Sequence, residues 1–380
     1  MSGETVAMLL SNAYRPDPRV QKEARALARA GYRVTVICWD RRGEFEPMQE
    51  RDGFVVRRIH VRSGYSAGSR QVLHLPRFWW RAVQDLRALQ PDLVHAHDLD
   101  TAPAAAWYAA RRRISWIFDA HECYPEQIRP QVHPLIYRLL LALEQQMARR
   151  ATRVLTVGET LAERFRALGG HVAVVGNYQA REAFVPRRAL SRADIGLRSD
   201  DYVVAYIGGF TTARAILPLI AATDLCRDVT VLLLGDGPQR AAIEAALPSH
   251  PRVCYLGLVP QEDVAAYTTL ADVIYYGLYA ADGNSRYSSP NALFNALAAG
   301  KPLLTTDTGE IARIVRQEAC GIVVAEPTPT LLADAMARLA DPAVRLPLAE
   351  NARRAGETKY NWRVAEETLL HVYHELLTGN

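Results

Sequence analysis

One stretch of the chain has residue types and spacing suited to holding a phosphate: Ser285-Arg-Tyr-Ser-Ser-Pro-Asn-Ala-Leu-Phe-Asn-Ala-Leu-Ala-Ala-Gly-Lys-Pro302. An apolar run, Asp272–Leu278, precedes it and another, Pro302–Thr306, follows. Ser288 or Ser289 can cap a helix that begins near Pro290, and Gly300 can end it. A strand then runs through a loop into a helix start, whose free N–H groups and positive dipole end suit an anion. The same residues would also build an ordinary β-loop-α unit that binds nothing.

Other candidates are polar residues at the ends of apolar runs. Val6–Leu10 breaks at Ser11–Pro18, and a helix and the strand Tyr32–Trp39 follow, which makes a βαβ unit. Open parallel sheets bind ligands at the carboxyl ends of their strands. Tyr14, Arg15, Asp17 and Arg19 are therefore substrate-site candidates, with a solvated charged turn as the alternative. His121 ends the strand Trp116–Glu122 and is either a site residue or a structural histidine. Asp98-Leu-Asp100 is formally a metal-binding DxD triplet, but a helix starts at once at Thr101-Ala-Pro, so capping is the preferred reading. Gly235-Asp-Gly237 is a weak glycine turn, and Arg240 after it belongs on an exposed helix face. Arg77-Phe-Trp-Trp-Arg81 opens a helix whose aromatics and arginines could rest on a membrane surface, at Phe78, Trp79 and Trp80. Packing of its apolar stripe on the sheet is the plainer reading.

The elements that position these residues form two series of alternating strands and helices. A polar, arginine-rich stretch separates them, and Tyr202–Gly208 restarts the same grammar. Expected boundaries are an N-terminal domain at 1–180, a linker at 181–200, a second domain at 201–361 and a terminal helix at 362–380. The chain has 380 residues, enough for two domains with large cores. A net charge of +4 argues against a dedicated nucleic-acid binder. The five cysteines, 38, 123, 226, 254 and 320, show no metal-ligand spacing and read as reduced thiols. Glu4 interrupts any apolar leader, and no run reaches membrane-span length. A cytoplasmic protein, able to sit at the inner face of a membrane, is expected.

The whole chain resembles a retaining, nucleotide-sugar-dependent glycosyltransferase of GT-B fold, family 4. The resemblance rests on Arg15-Pro-Asp-Pro-Arg-Val-Gln-Lys-Glu-Ala24 with Ala30-Gly-Tyr-Arg-Val-Thr-Val36, on His95-Ala-His-Asp98, on Asp119-Ala-His-Glu122, and on Ser289-Pro-Asn-Ala-Leu-Phe-Asn-Ala-Leu-Ala-Ala-Gly-Lys-Pro302. It implies two Rossmann-like α/β domains facing a cleft, with the C-terminal helix crossing back to the first. The donor, UDP- or GDP-linked, would lie on the second domain, and a glycan, lipid-linked or small-molecule acceptor on the first. Gly208 and Gly209 would approach the phosphates, Arg214 would supply charge, and the N–H groups of Asn291, Ala292 and Leu293 would hold the β-phosphate. Leu258 and Val259 would flank the base, and His121 would meet the donor sugar. No metal and no cofactor are implied. Retention is usually explained by same-face attack through a short-lived ion pair, with the leaving phosphate taking the acceptor proton.

The chain departs from the family at the helix itself. Members usually carry two glutamates eight positions apart, where Tyr287 and Asn295 stand here; an arginine often found after the first strand of the second domain is Gly209. Asn295 can still bond ribose hydroxyls, and Asp282 is a candidate substitute for the lost carboxylate on the sugar. An active transferase of polysaccharide, glycolipid or secondary-metabolite assembly is expected; a non-catalytic relative that binds a partner, and a nucleotide-sugar epimerase, are the alternatives.

Overall fold

The structure is a computed structural model, and it describes residues 3–379 apart from 16, 63–73, 183 and 227. Most of the stretch 62–76 lies outside the described residues. The chain divides into two compact units, Met1–Gly176 with Ala365–Asn380, and Asn177–Val364.

The first unit contains β1 (Thr5–Leu10), α1 (Pro18–Arg29), β2 (Arg33–Asp40), β3 (Met48–Arg51), β4 (Phe54–His60), α2 (Leu75–Leu89), β5 (Leu93–His97), α3 (Ala102–Arg112), β6 (Ser115–Ala120), α4 (Tyr124–Ile128), α5 (Pro134–Arg150), β7 (Arg153–Thr156), α6 (Glu159–Ala167) and β8 (Val172–Val174). The second contains β9 (Val203–Ile207), α7 (Ile216–Ala222), β10 (Thr230–Leu234), α8 (Arg240–Ala246), β11 (Val253–Gly257), α9 (Val264–Leu270), β12 (Val273–Tyr276), α10 (Asn291–Ala298), β13 (Leu303–Thr306), α11 (Gly309–Gln317), β14 (Gly321–Val324), α12 (Pro329–Ala340) and α13 (Pro342–Thr358). The last helix, α14 (Trp362–Thr378), ends the chain.

Among the described residues the first sheet has the order β3-β4-β2-β1-β5-β6-β7-β8. It is parallel except at β3, which pairs antiparallel with β4. β1 lies between β2 and β5 and is buried along its whole length, as a strand covered on both faces must be. Helix α1 begins where the sequence signals it: Pro18 takes the first turn, and the Asp17 carboxylate accepts from the N–H groups of Arg19 and Val20. The short polar strand β3 escaped the sequence reading because its residues are mostly exposed and do not alternate. From Ala365 onward α14 packs in this unit. Ala365, Leu369, Val372 and Tyr373 form its buried stripe, and Arg29–Glu366 and Arg153–Glu375 ion pairs, each 2.8 Å, flank it.

The second sheet is parallel throughout, in the order β11-β10-β9-β12-β13-β14. The stretch expected as a linker, 181–200, is folded onto this unit at its carboxyl half. Leu190, Ile195 and Leu197 pack on the core. Arg192 donates to Leu270 O at 3.0 and 3.2 Å and to Asp272 at 2.8 Å. These aliphatic residues and one arginine were masked in the sequence by the polar residues around them.

Candidate functional site

The second unit gathers its candidate residues at the carboxyl edge of its sheet. β9 ends in Gly208-Gly209, β10 in Gly235 and β11 in Gly257, and main-chain bonds stitch these ends together. Gly208 N–H donates to Leu234 O (3.0 Å), Phe210 N–H to Asp236 O (2.9 Å), and Gly235 N–H to Gly257 O (2.8 Å). The approach is so close that a Cβ on Gly235 would collide with Gly208 O, and Gly235 has a φ of 149°. Glycine is required there by space and by backbone conformation alike.

The loop after Gly209 is pinned just as firmly. Ala215 N–H donates to Gly277 O (3.1 Å), Tyr279 N–H to Ala213 O (3.1 Å), and Arg214 forms an isolated antiparallel bridge with Leu278. Gln239 donates to Thr211 O and Arg214 O. The half-buried Arg214 guanidinium lies 5.0 Å above the Tyr276 ring, which stacks on Tyr206 at 5.6 Å. Tyr206 donates to Gly209 O (2.7 Å), and burial drives its phenol pKa up, so it stays neutral. A cation is thus held in place beside the glycine loops by main-chain bonds that do not depend on its side chain.

Around α10 the structure corrects several expectations. Pro290, and not a serine, occupies the cap position, without a side-chain bond of its own. Leu293 N–H, expected to face a phosphate, donates to Pro290 O at 3.1 Å. Asn291 and Ala292 are left as the first-turn N–H groups. Asp282 does not stand ready as a substitute carboxylate: its Oδ2 accepts from Ser285 N–H (2.8 Å) and Oγ (2.7 Å), fixing the turn Ser285–Tyr287 that holds the half-buried Tyr287. Asn295 is 7% exposed, and its Oδ1 has no hydrogen-bond partner among the described residues. Leu258, directly after Gly257, is 79% exposed, while Val259 packs partly buried on the core. Leu258 thus presents an apolar side chain beside polar loops.

The first unit builds a buried charge cluster. His95 and His97 alternate on β5, so their imidazoles share one face and stack at 4.3 Å. β6 pairs in register with β5 and sets Asp119 opposite His97. Arg19 reaches in from α1 and donates to Asp119 at 2.8 and 3.1 Å and to Val175 O at 2.8 Å; it also lies 3.1 Å from Glu23, one turn along its own helix. His121 Nε2 lies 3.0 Å from Asp119, and Nδ1 lies 3.4 Å from Asp98. Tyr373, from α14, bonds His95 Nδ1 at 2.7 Å.

The charges follow from this geometry. Burial disfavours a positive His121, but Asp98 and Asp119 outweigh it and hold the imidazole up at about 10. Burial pushes His97 down to about 3, and His95 adds to the effect. Burial raises the Glu23 carboxyl. Burial would raise Asp119 too, but Arg19 and His121 hold it well below the usual carboxylate range. Burial, then Asp98, raises Asp100 to about 6. The site thus presents one partly accessible imidazolium, fixed between two carboxylates.

Glu23, His95, His97 and Asp119 could bring ligand atoms within 4.8 Å of one another. The Arg19 guanidinium already occupies the cation position among their carboxylates, so a divalent ion would meet a like charge there.

Of the acceptor candidates, Arg19 (4% exposed) is spent in this cluster and Tyr14 (1% exposed) packs edge-on against Phe54. Neither is offered to a ligand. Asp17 caps α1 and accepts from Asn12, and Arg15 is exposed and paired with Glu44. Sequence reasoning missed Asp119 and Glu23 as members of the cluster. The signals were there: Arg19 and Glu23 sit at helical i,i+4 spacing, and Asp119 lies two residues before His121 on a strand. Phe78, named with Trp79 and Trp80 as a possible membrane contact, is fully buried and stacked 5.0 Å from Trp39. No described helix is long and apolar enough to cross a membrane.

Two family models match the chain: "Glycosyl transferase 4-like domain" over residues 16–178 and "Glycosyl transferases group 1" over residues 201–341. The chain is 28% identical over 199 residues to an alpha-D-kanosaminyltransferase of Streptomyces kanamyceticus, covering 50% of each chain. It is 24% identical over 303 residues to the lipopolysaccharide core biosynthesis glycosyltransferase LpsD of Rhizobium meliloti, covering 78% of each. The match thus spans half the length of the first relative. Among solved structures, sucrose-phosphate synthase from Thermosynechococcus elongatus superposes with a TM-score of 0.83 at 20% identity, over 99% of this chain and all of the other. HepE of Anabaena, in complex with UDP, superposes with a TM-score of 0.74 at 15% identity, over 98% of this chain and all of the other. With two matching models that together span most of its length and a fold shared with these enzymes, the chain belongs to the group 1, family 4 glycosyltransferases of GT-B fold.

Proposed function

We propose that this protein transfers a sugar from a nucleoside-diphosphate donor, UDP-linked in the first instance, to an acceptor hydroxyl with retention at the anomeric carbon. The observation that carries this reading is Arg214, held over Tyr276 beside the stitched glycine loops of β9, β10 and β11. A diphosphate leaving group develops negative charge as its bond to the sugar breaks, and a fixed cation stabilises that charge without reorganising. Main-chain N–H groups at Gly209, Asn291 and Ala292 would bind its oxygens. Leu258 would lie against the base, and the unpartnered Asn295 Oδ1 would accept from a ribose hydroxyl. UDP is favoured because the HepE structures hold UDP and UDP-glucose.

In the transfer the anomeric carbon loses its phosphate oxygen, and the acceptor oxygen bonds to it from the same face. The acceptor proton passes to the departing phosphate. No protein nucleophile or metal is needed. The His121 imidazolium, whose two ring nitrogens already face Asp98 and Asp119, would act on a bound substrate through its positive charge. One relative named as a kanosaminyltransferase and one named for lipopolysaccharide core biosynthesis support a glycan or small-molecule acceptor.

A thermal-shift panel of UDP, GDP, ADP and dTDP with their sugars tests the reading, because a ligand of the native state raises its melting temperature. A shift with UDP, followed by a product whose anomeric coupling by NMR matches the donor, and turnover insensitive to a chelator, are expected. No shift with any nucleotide would instead favour a non-catalytic relative, the reading that Tyr287 and Asn295 at the usual glutamate positions support. An inverted product would overturn retention.

A further inference from the structure

We infer that the face formed by α2 and α3 docks on a bilayer containing anionic phospholipid. Every exposed side chain on these two helices is Trp, Arg, Ala or Pro. Trp80 is 58% exposed and Trp107 39%. With Trp79, Val83, Pro103 and Ala104 they line an apolar groove of about 350 Å³. A second hollow, of about 600 Å³, shares Trp80 with it and is lined by Arg62, Arg77 and Arg81. Apolar groove and cationic hollow therefore meet at one indole.

The arginines are arranged around the rings. Trp107 has Arg111 at 4.3 Å and Arg87 at 5.3 Å from its centroid, and Arg81 lies 5.1 Å from Trp80. Arg112 and Arg113 continue the positive charge where α3 ends. The two helices carry a single carboxylate, Asp85, and it is paired with Arg57 at 2.6 Å. The surface thus combines indoles, which favour the boundary between hydrocarbon and water, with an excess of guanidinium groups over carboxylates that favours phosphate. Along α2 and α3, among the described residues, no hydroxyl, amide or carboxylate is exposed that would register a specific protein partner. Charge complementarity and indole chemistry together select a lipid surface. Buried Phe78 is the inner anchor of α2 and takes no part in the docking.

Cosedimentation of the full chain with vesicles tests this without any turnover, so its outcome is separate from that of the transfer reaction. Vesicles of phosphatidylcholine alone are compared with vesicles that also contain phosphatidylglycerol, at low and high salt. Binding only to the mixed vesicles, weakened by salt, is expected. Arg77→Gln/Arg81→Gln should bind about 25-fold more weakly, at roughly a factor of five for each basic residue near an anionic surface. Trp80→Ala/Trp107→Ala should also weaken binding, with an unchanged melting temperature and unchanged UDP affinity as the fold controls. No binding to the mixed vesicles, equal binding by both double variants, or capture by an acidic polypeptide but not by vesicles would overturn the inference.

Discussion

Replacing Arg214 with alanine isolates the cation in the proposed diphosphate site. The substitution leaves the loop in place, because Ala215 N–H, Tyr279 N–H and the Gln239 side chain hold it through main-chain atoms. The stacking on Tyr276 exists without ligand and so largely cancels between free and bound states. What is lost on binding is a charge-assisted hydrogen bond, about 1.5–3 kcal/mol. That corresponds to roughly 10- to 150-fold in dissociation constant. Arg214 is only half-buried, so salt screens it, and the lower end applies at physiological ionic strength. Arg214→Lys should fall between the two, since it keeps the charge and loses the planar fork. Calorimetric titration with UDP at two salt concentrations, with a melt of each variant, reads the effect. An affinity within about twofold of the parent at both salt concentrations, in a protein that melts normally, would show that the diphosphate does not bind beside this loop.

Other expectations follow from the buried groups. His121 is held at about 10 in the folded protein against roughly 6.5 when unfolded, so its contribution is full below the lower value and is lost as pH rises through the higher. Denaturant melts should therefore show the parent losing stability across that window relative to His121→Gln; parallel pH profiles would refute the ion cluster. Asn295→Leu should hold or raise stability, by about 1 kcal/mol, since an unpartnered buried acceptor disappears. It should also abolish the preference for UDP over its 2′,3′-dideoxy analogue, and a preserved preference would place the ribose elsewhere. Tyr373→Phe should cost about 1–3 kcal/mol by leaving the buried His95 Nδ1 unpaired, and an unchanged urea midpoint would rule that bond out as a stabilising contact.

The alternating apolar runs made both sheets legible, because parallel strands buried on two faces are nearly continuous in hydrophobicity. The strand-end position of His121 was legible from the same runs, whereas Asp17, read as a substrate-site candidate, caps α1 before Pro18. What was hidden is what depends on distant partners. Arg19 looks like a surface arginine until β6 brings Asp119, a hundred residues away, against it. Asp282 looks like a free carboxylate, although its bonds to Ser285 are local and its spacing could have suggested a turn. On α2 the buried residues Phe78, Ala82 and Leu86 recur every fourth position, a helical period that sets Phe78 apart from the exposed Trp80, with which the sequence reading had grouped it.

Residues 365–380 join the first unit, although the whole of the second is synthesised before them. Order of synthesis and order of completion are therefore inverted in this chain. The second unit is continuous and can finish folding as it emerges. The first must wait, its sheet formed, with the place beside Tyr32 and His95 unfilled until Tyr373 arrives. These long-separation contacts are slow to form, because the intervening chain must be closed first. During translation the apolar surface awaiting α14 is open to chaperones or to neighbouring chains, which makes the last helix the step at which a nascent chain is committed to its native form.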